Sequence, residues 1–335
     1  MQKSLIILIL FLAFSQLKGQ DIHFSQYNRS YLNLNPALAG SFNGDYRLNA
    51  NFRNQWSSIS EPFQTFSFAA DAKSLLSALP NLQFGLVVSN DQAGAGDLQS
   101  SNFLLNVAYI QKLSSDSSFS LKVGAQAGLN SRSINYANFR FDEQFQGGSF
   151  RAELDNGERF SNNSINRLAL NSGLSVEYFQ DRRHKAEVGL ALFNLNRADQ
   201  SFEGEAEPLD VRTTLFLKAS HEIHEQIDLI PSILFSRQGE FREIVFGSNL
   251  RYYFSDNNYY KRRLYAGLWV RPGDAIIPSI GFEYNQWHFG ATYDINTSSL
   301  QVASNQRGGL EFSLTYIISN YKASFRNYQR CPKFL

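Results

Sequence analysis

Between Phe119 and Asn130 the chain alternates strictly between apolar residues and polar or small ones. Phe119, Leu121, Val123, Ala125, Ala127 and Leu129 fall on one side; Ser120, Lys122, Gly124, Gln126, Gly128 and Asn130 fall on the other. Period-two alternation sends successive side chains to opposite faces of a strand, and about a dozen residues of it exceeds the roughly 5–6 of a soluble strand. At about 3.3 Å per residue and a tilt near 45°, such a strand crosses roughly 28 Å, close to the hydrocarbon thickness of a bilayer. The pattern predicts one stave of a transmembrane β-barrel.

The same alternation recurs along the chain. It predicts staves over Tyr46–Arg53, Gln64–Asp71, Leu82–Asn90 and Asn102–Gln111 before the template. After it come Arg167–Gln180, His184–Leu195, Val211–His221, Ile227–Ser236, Glu243–Phe254, Leu264–Arg271, Ile276–Tyr284, Trp287–Asp294 and Leu310–Ile318. In the first stave Leu48, Ala50 and Phe52 form the lipid face, opposite Arg47, Asn49, Asn51 and Arg53. The expected fold is all-β: a closed antiparallel barrel of about 14 strands over residues 44–318, an even number as single-chain bacterial barrels require.

Connection lengths give an independent check, because outer-membrane barrels alternate short periplasmic turns with longer surface loops. Residues 113–118, 180–185, 221–226, 255–263 and 285–286 read as short periplasmic turns; 91–100, 133–164, 196–210 and 295–307 read as surface loops. Residues 236–240 and 271–274 are short yet fall on the surface side. Pro231 and Pro278 interrupt two staves, and a closed barrel has no free edge for a missing donor, so bulges or shifted boundaries are expected there. Residues 73–80 suit a helical turn, and Trp56, Trp269 and Trp287 read as interface anchors at stave ends.

Composition changes the picture in two ways. Charge is balanced, 31 basic against 30 acidic residues, so nothing marks a nucleic-acid surface. Mean hydropathy of −0.30 is what a barrel gives when outward apolar and inward polar residues are averaged. Residues 1–20, with Lys3 ahead of the apolar run 5–14, read as a signal peptide for export to the outer membrane. Residues 21–43 lack any period and read as a periplasmic lead-in or a plug at the barrel mouth. Residues 319–335 read as a periplasmic tail.

No enzymatic constellation emerges, and no metal or cofactor site is expected. His221 and His224 have metal-pair spacing but no third ligand, and read as solvated turn residues. His288 faces inward beside Thr292 and Asp294 without an identifiable serine partner. The Gly-Ala-Gly at 94–96 has no following helix and is a flexible loop. Cys331 stands alone, so no internal disulfide forms. The loop 133–164 mixes Arg140, Asp142, Glu143, Arg151, Glu153, Asp155, Glu158 and Arg159; both an inward constriction and a solvated loop stay open.

Two end regions carry a resemblance. His23-Phe24-Ser25-Gln26, the 34–40 run with Asn35, Pro36 and Gly40, and Arg53-Asn54-Gln55-Trp56 resemble the amino-terminal signature of the PorP/SprF family. The 293–317 run with Gly308 and Gly309, and the ending with Cys331 and Pro332, resemble its last strands and tail. That family comprises outer-membrane proteins associated with the type IX secretion system of Bacteroidota. The resemblance implies a binding and translocation role: engaging the carboxy-terminal (type B) sorting domain of a large surface adhesin, including gliding adhesins, and supporting its secretion or surface retention. It also implies, for one branch, contact with the periplasmic secretion machinery. Arg53, Asn54, Gln55 and Trp56 are the candidate partner contacts, since Trp and Arg are frequent interface anchors. The alternative is a porin-like diffusion channel with an open lumen lined by Lys122, Gln126 and Asn130.

Overall fold

The computed structural model describes residues 21–55, 62–76, 78–94, 97–151, 153–154, 162–202, 206–256, 261–299 and 304–319. The expected signal peptide, Trp56, residues 95–96, Cys331 and Pro332 lie outside them.

Fourteen strands close into one antiparallel barrel. In chain order they begin with β1 (Tyr46–Gln55), β2 (Phe63–Lys73), β3 (Leu82–Ala93), β4 (Leu98–Lys112) and β5 (Phe119–Ser133). A two-stranded hairpin, β6 (Phe145–Gln146) and β7 (Ser149–Phe150), stands apart in the following loop. The barrel resumes with β8 (Ser164–Phe179), β9 (Lys185–Phe193), β10 (Arg212–His224), β11 (Ile227–Gln238) and β12 (Phe241–Asp256). It ends with β13 (Lys261–Arg271), β14 (Ala275–Tyr284), β15 (Trp287–Asn296) and β16 (Arg307–Ile318). Sequential neighbours pair throughout, and β1 closes on β16 from Tyr46↔Ile318 to Gln55↔Gly309. Each predicted stave is a strand, most of them longer by a few residues, whereas the stave expected over His184–Leu195 is shorter, Lys185–Phe193.

The two faces follow the alternation. Leu48, Phe52, Phe66, Phe103, Leu105, Val123 and Leu129 are exposed on the outer wall, where lipid covers them. Arg47, Asn49, Asn51, Arg53, Ser120, Lys122 and Gln126 are buried on the inner wall. The apolar exterior belongs to a bilayer; the polar interior is satisfied inside the barrel.

Several expectations change. Neither proline ends or bulges its strand: Pro231 pairs with Ser248 and Pro278 with Leu268 in unbroken register. Each missing N–H instead coincides with a lapse in the ladder toward the other neighbour. The β10 pairing skips Pro231, and the β15 pairing skips Pro278. In an antiparallel ladder a residue's N–H and C=O serve one neighbour, so the defect is local. Register shifts occur instead at Glu222/His224, Tyr253/Ser255 and Asp294/Ile295. The surface loop expected at 91–100 shrinks to 94–97, because Asp91–Ala93 continue to pair with Leu98–Ser100. Residues 74–76 and 78–81 form bends and turns with no helical turn. Trp269 is no interface anchor: it faces the lumen, 3% exposed. Trp287, outward at the short-turn end, fits one. The described charges of loop 134–154 stay outside, with Arg140 exposed over the Phe150 ring at 5.0 Å.

Candidate functional site: the luminal plug and its seat

Residues 21–45 thread the lumen from end to end. Asp21 lies at the long-loop end, where its N–H donates to Gln238 Oε1 (3.0 Å) and its carboxylate accepts from Asn194 Nδ2 (2.6 Å). Asp45 lies at the short-turn end, where its N–H donates to the Ile318 carbonyl (2.8 Å) and the chain enters β1. Between them run three short helical turns, Tyr27–Arg29, Tyr31–Leu34 and Pro36–Leu38. Pro36 opens the last, where its missing N–H leaves no donor unsatisfied, and the Asn35 side chain caps it by accepting from Ala37 N–H (2.8 Å).

The upper half is held by a buried charge lattice. The Ser25 and Gln26 N–H groups donate to the two carboxylate oxygens of Glu311 at 2.7 and 2.9 Å. Ser25 Oγ donates to Asp294 (2.7 Å), and the Gln26 amide joins the Glu311 carbonyl and the Ser313 hydroxyl. Arg53 donates to the His23 carbonyl (2.6 Å) and pairs with Asp294 (3.0 Å). Arg271 joins Asp294 (3.1 Å) to Glu243 (2.8 Å). Such charges are tolerable in a water-poor interior only because each has charge-assisted partners. The His23 ring is held neutral, well below its ordinary value of 6.5, by burial and by the nearby Arg53, Arg271 and Arg212 guanidinium groups.

The lower half is seated by shape. Gly124 of β5 pairs with Gly173 of β8, and Gly189 of β9, opposite Ser175, lies one inward position further along. A Cβ on Gly173 would stand 2.0 Å from Asn35 Oδ1, and one on Gly124 would stand 2.4 Å from Ala37 N. The Asn35-Pro36 turn therefore enters a notch where the wall has no side chains, and Asn35 Nδ2 donates to the Leu174 and Leu190 carbonyls (3.1 Å each). Below it, Gly40 N–H donates to Asp71 (2.7 Å), which also takes a two-pronged bond from Arg47 (2.8 Å each). Gly40 has φ +70, a left-handed conformation that favours glycine.

Apolar contacts complete the fit. Tyr27, Leu34 and Leu38 pack against Phe216, Leu234, Val245, Trp269 and Ile277 on one wall. Leu32 and Ala39 pack against Ala69, Val87, Leu104 and Ala169 on the other. Tyr27 meets Trp269 edge-on at 5.7 Å and donates its hydroxyl to Ser232 (2.9 Å).

The structure thus brings the two end motifs together: Ser25 and Gln26 meet Asp294 and Glu311, and Asn35, Pro36 and Gly40 sit in the notch. Phe24 is buried in the lumen. Gly309 pairs with Gln55, and Gly308 is the residue skipped by the β15–β16 register shift. Of the candidate contacts, Arg53 points inward and is 1% exposed, whereas Asn54 and Gln55 are half-buried at the end of β1. His288 bonds Arg29 through Nδ1 (3.1 Å), a structural tie to the plug. His221 stacks edge-on with His184 at 4.9 Å. Among the described residues no group of three His, Cys, Asp or Glu side chains is placed to hold a metal.

The family model described as type IX secretion system membrane protein PorP/SprF matches residues 16–316. In fold the chain is similar to the toluene transporter TbuX of Ralstonia pickettii, at 8% identity over 86% of this chain and 92% of that one, with a TM-score of 0.50. It is also similar to a FadL homologue of Pseudomonas aeruginosa, at 10% identity over 86% and 94%, with a TM-score of 0.46. At 8% identity the first likeness concerns the barrel alone. No curated protein matches the chain in sequence. The chain belongs to the PorP/SprF family and is an outer-membrane barrel of the type IX secretion system.

Proposed function

We propose that this barrel engages the carboxy-terminal (type B) sorting domain of a large surface adhesin and supports its secretion or retention at the cell surface. A leader within residues 1–20 directs the chain to export, and the periplasmic secretion machinery meets its short-turn end. The reading rests on family membership and on one structural observation: the lumen is filled. The walls that a diffusion channel needs open are occupied. Lys122 is 2% exposed and pairs with Glu187 (2.9 Å) and Glu177 (2.7 Å), and Gln126 donates to the Leu32 carbonyl (3.0 Å). A filled barrel favours a docking role over solute passage.

In this reading the partner meets the long-loop face. Asn54, Gln55 and Trp56 contribute contacts there, while Arg53 acts from beneath by fixing the His23 carbonyl and Asp294. The test is affinity purification of the tagged protein from native outer membranes, with mass spectrometry of what remains bound. Recovery of a large surface protein through its carboxy-terminal domain, and its loss when 53–63 is replaced, supports the proposal. A barrel that purifies alone while secretion of such proteins proceeds normally in its absence overturns it.

A further inference from the structure

We infer that the outer wall of the barrel, at its long-loop rim, binds the phosphate groups of an outer-leaflet glycolipid. The residues lie outside the plug and face away from the lumen. Register places Thr213, Arg237 and Arg242 in one cross-strand row on β10, β11 and β12. One step toward the membrane, the row is Leu215, Phe235 and Ile244; the next is Leu217, Ile233 and Phe246. The outward face therefore changes from hydrocarbon-facing residues to paired arginines in a single step, at the height where lipid headgroups begin.

Like charges directly opposite each other on neighbouring strands repel. Arg237 and Arg242 are such a pair, and no carboxylate among the described residues forms an ion pair with either, the adjacent Glu240 included. Arg237 donates Nε to the Gly239 carbonyl (3.2 Å), which holds the guanidinium in place and leaves its terminal nitrogens without an acceptor among the described residues. A third cation arrives from the 194–211 loop: Arg197, tied to Asp210 at 3.2 Å. Asp210 is set by the turn above it. The Gln238 amide donates to its carbonyl (3.2 Å), and Gly239, at φ +57, carries no Cβ where one would stand 2.4 Å from the carboxylate. Arg197, Asp210, Val211, Thr213, Arg237 and Gly239 line an open hollow of about 370 Å³.

The ordinary alternative is a set of solvated cations whose stems lie along the apolar wall. The fixed guanidinium, the hollow and the unneutralised pair argue for an acceptor group. Guanidinium forks match phosphate oxygens, and basic pockets on membrane proteins hold anionic headgroups. The position directly above the hydrocarbon band favours a phosphate already tethered in the membrane over a free one.

The test extracts wild-type protein and an R237Q/R242Q variant from native outer membranes in mild detergent, and weighs bound lipid by native mass spectrometry. The wild type should retain a phosphorylated glycolipid, and the double variant should lose at least tenfold of it. R182Q, in a turn at the opposite end, should retain it in full. Heat-modifiability on gels verifies that each variant is a folded barrel. In titrations of delipidated protein, phosphorylated lipid A should bind more tightly than dephosphorylated lipid A or phosphatidylglycerol. Equal retention by R237Q/R242Q overturns the proposal. So does equal binding of dephosphorylated lipid, or displacement of the lipid by millimolar inorganic phosphate.

Discussion

Replacing Gly173 with alanine should lift the plug while leaving the barrel closed. The added Cβ would stand 2.0 Å from Asn35 Oδ1 and 2.9 Å from Pro36 Cδ, and both strand neighbours of Gly173 hold the wall in place. The plug must therefore move. Withdrawing Asn35 breaks the bonds to Leu174 and Leu190 and the cap on Ala37. At about 0.5–1.5 kcal/mol for each bond, with buried groups left unmatched, the docked segment loses roughly 3–5 kcal/mol. That is a large part of the ~5–15 kcal/mol that holds a typical domain together, yet no ladder bond of the barrel is touched. Hydrogen exchange in detergent should show protection lost across 30–41 and kept in β5, β8 and β9. A companion N35A gives up the same three bonds and should lose a similar amount. Because alanine at 35 removes the nearest clashing atom and leaves only the milder 2.9 Å approach to Pro36 Cδ, the N35A/G173A double variant should be little worse than N35A alone. Unchanged protection in G173A, or strictly additive effects in the double variant, would refute the seating argument.

Two more outcomes follow from the upper half of the plug. His23 stays neutral when docked, but the undocked segment takes up a proton as pH falls through about 6.5. The undocked form then binds more protons at this site, so the His23 contribution to plug stability should fall below pH 6.5 and be flat above it. Protease accessibility of 21–30 between pH 7.5 and 5 reads this, and H23Q should flatten the profile. R53A removes the bond to the His23 carbonyl and leaves Asp294 with one fewer cation. Partner capture by R53A should therefore fall together with plug protection, whereas changes at Asn54 or Gln55 should lower capture with protection intact. Capture lost in R53A with a fully protected plug would mean direct contact instead.

The staves were legible in the sequence because one-sided burial writes a period-two signal. Phe119–Asn130 shows it most cleanly, and its inward Lys122 and Gln126 are among the residues that hold the plug, through the Ser41 hydroxyl and the Leu32 carbonyl. The plug was harder to read, since 21–43 has no period of its own and its bonds reach residues more than 200 positions away. Its footprint was nevertheless present as broken alternation. Leu215-Phe216-Leu217, Ile233-Leu234-Phe235, Ile244-Val245-Phe246 and Leu268-Trp269-Val270 are apolar on both faces. A strand flanked by lipid outside and water inside has no reason for that; one with an occupied lumen does. Trp269 belongs to this set: it faces the occupied lumen, so nearness to a strand end alone does not mark an interface anchor. The glycines at 124, 173 and 189 were likewise visible, but only the register, which sets 124 opposite 173 and 189 one inward position away, reveals a notch.

Whether the segment 21–45 closes this barrel is decided by single-channel recording in planar bilayers. Wild-type protein should give no steady ohmic conductance at moderate voltage, and G173A should conduct. Steady conductance in wild type, equal to that of G173A, would contradict the account and return the barrel to the class of diffusion channels.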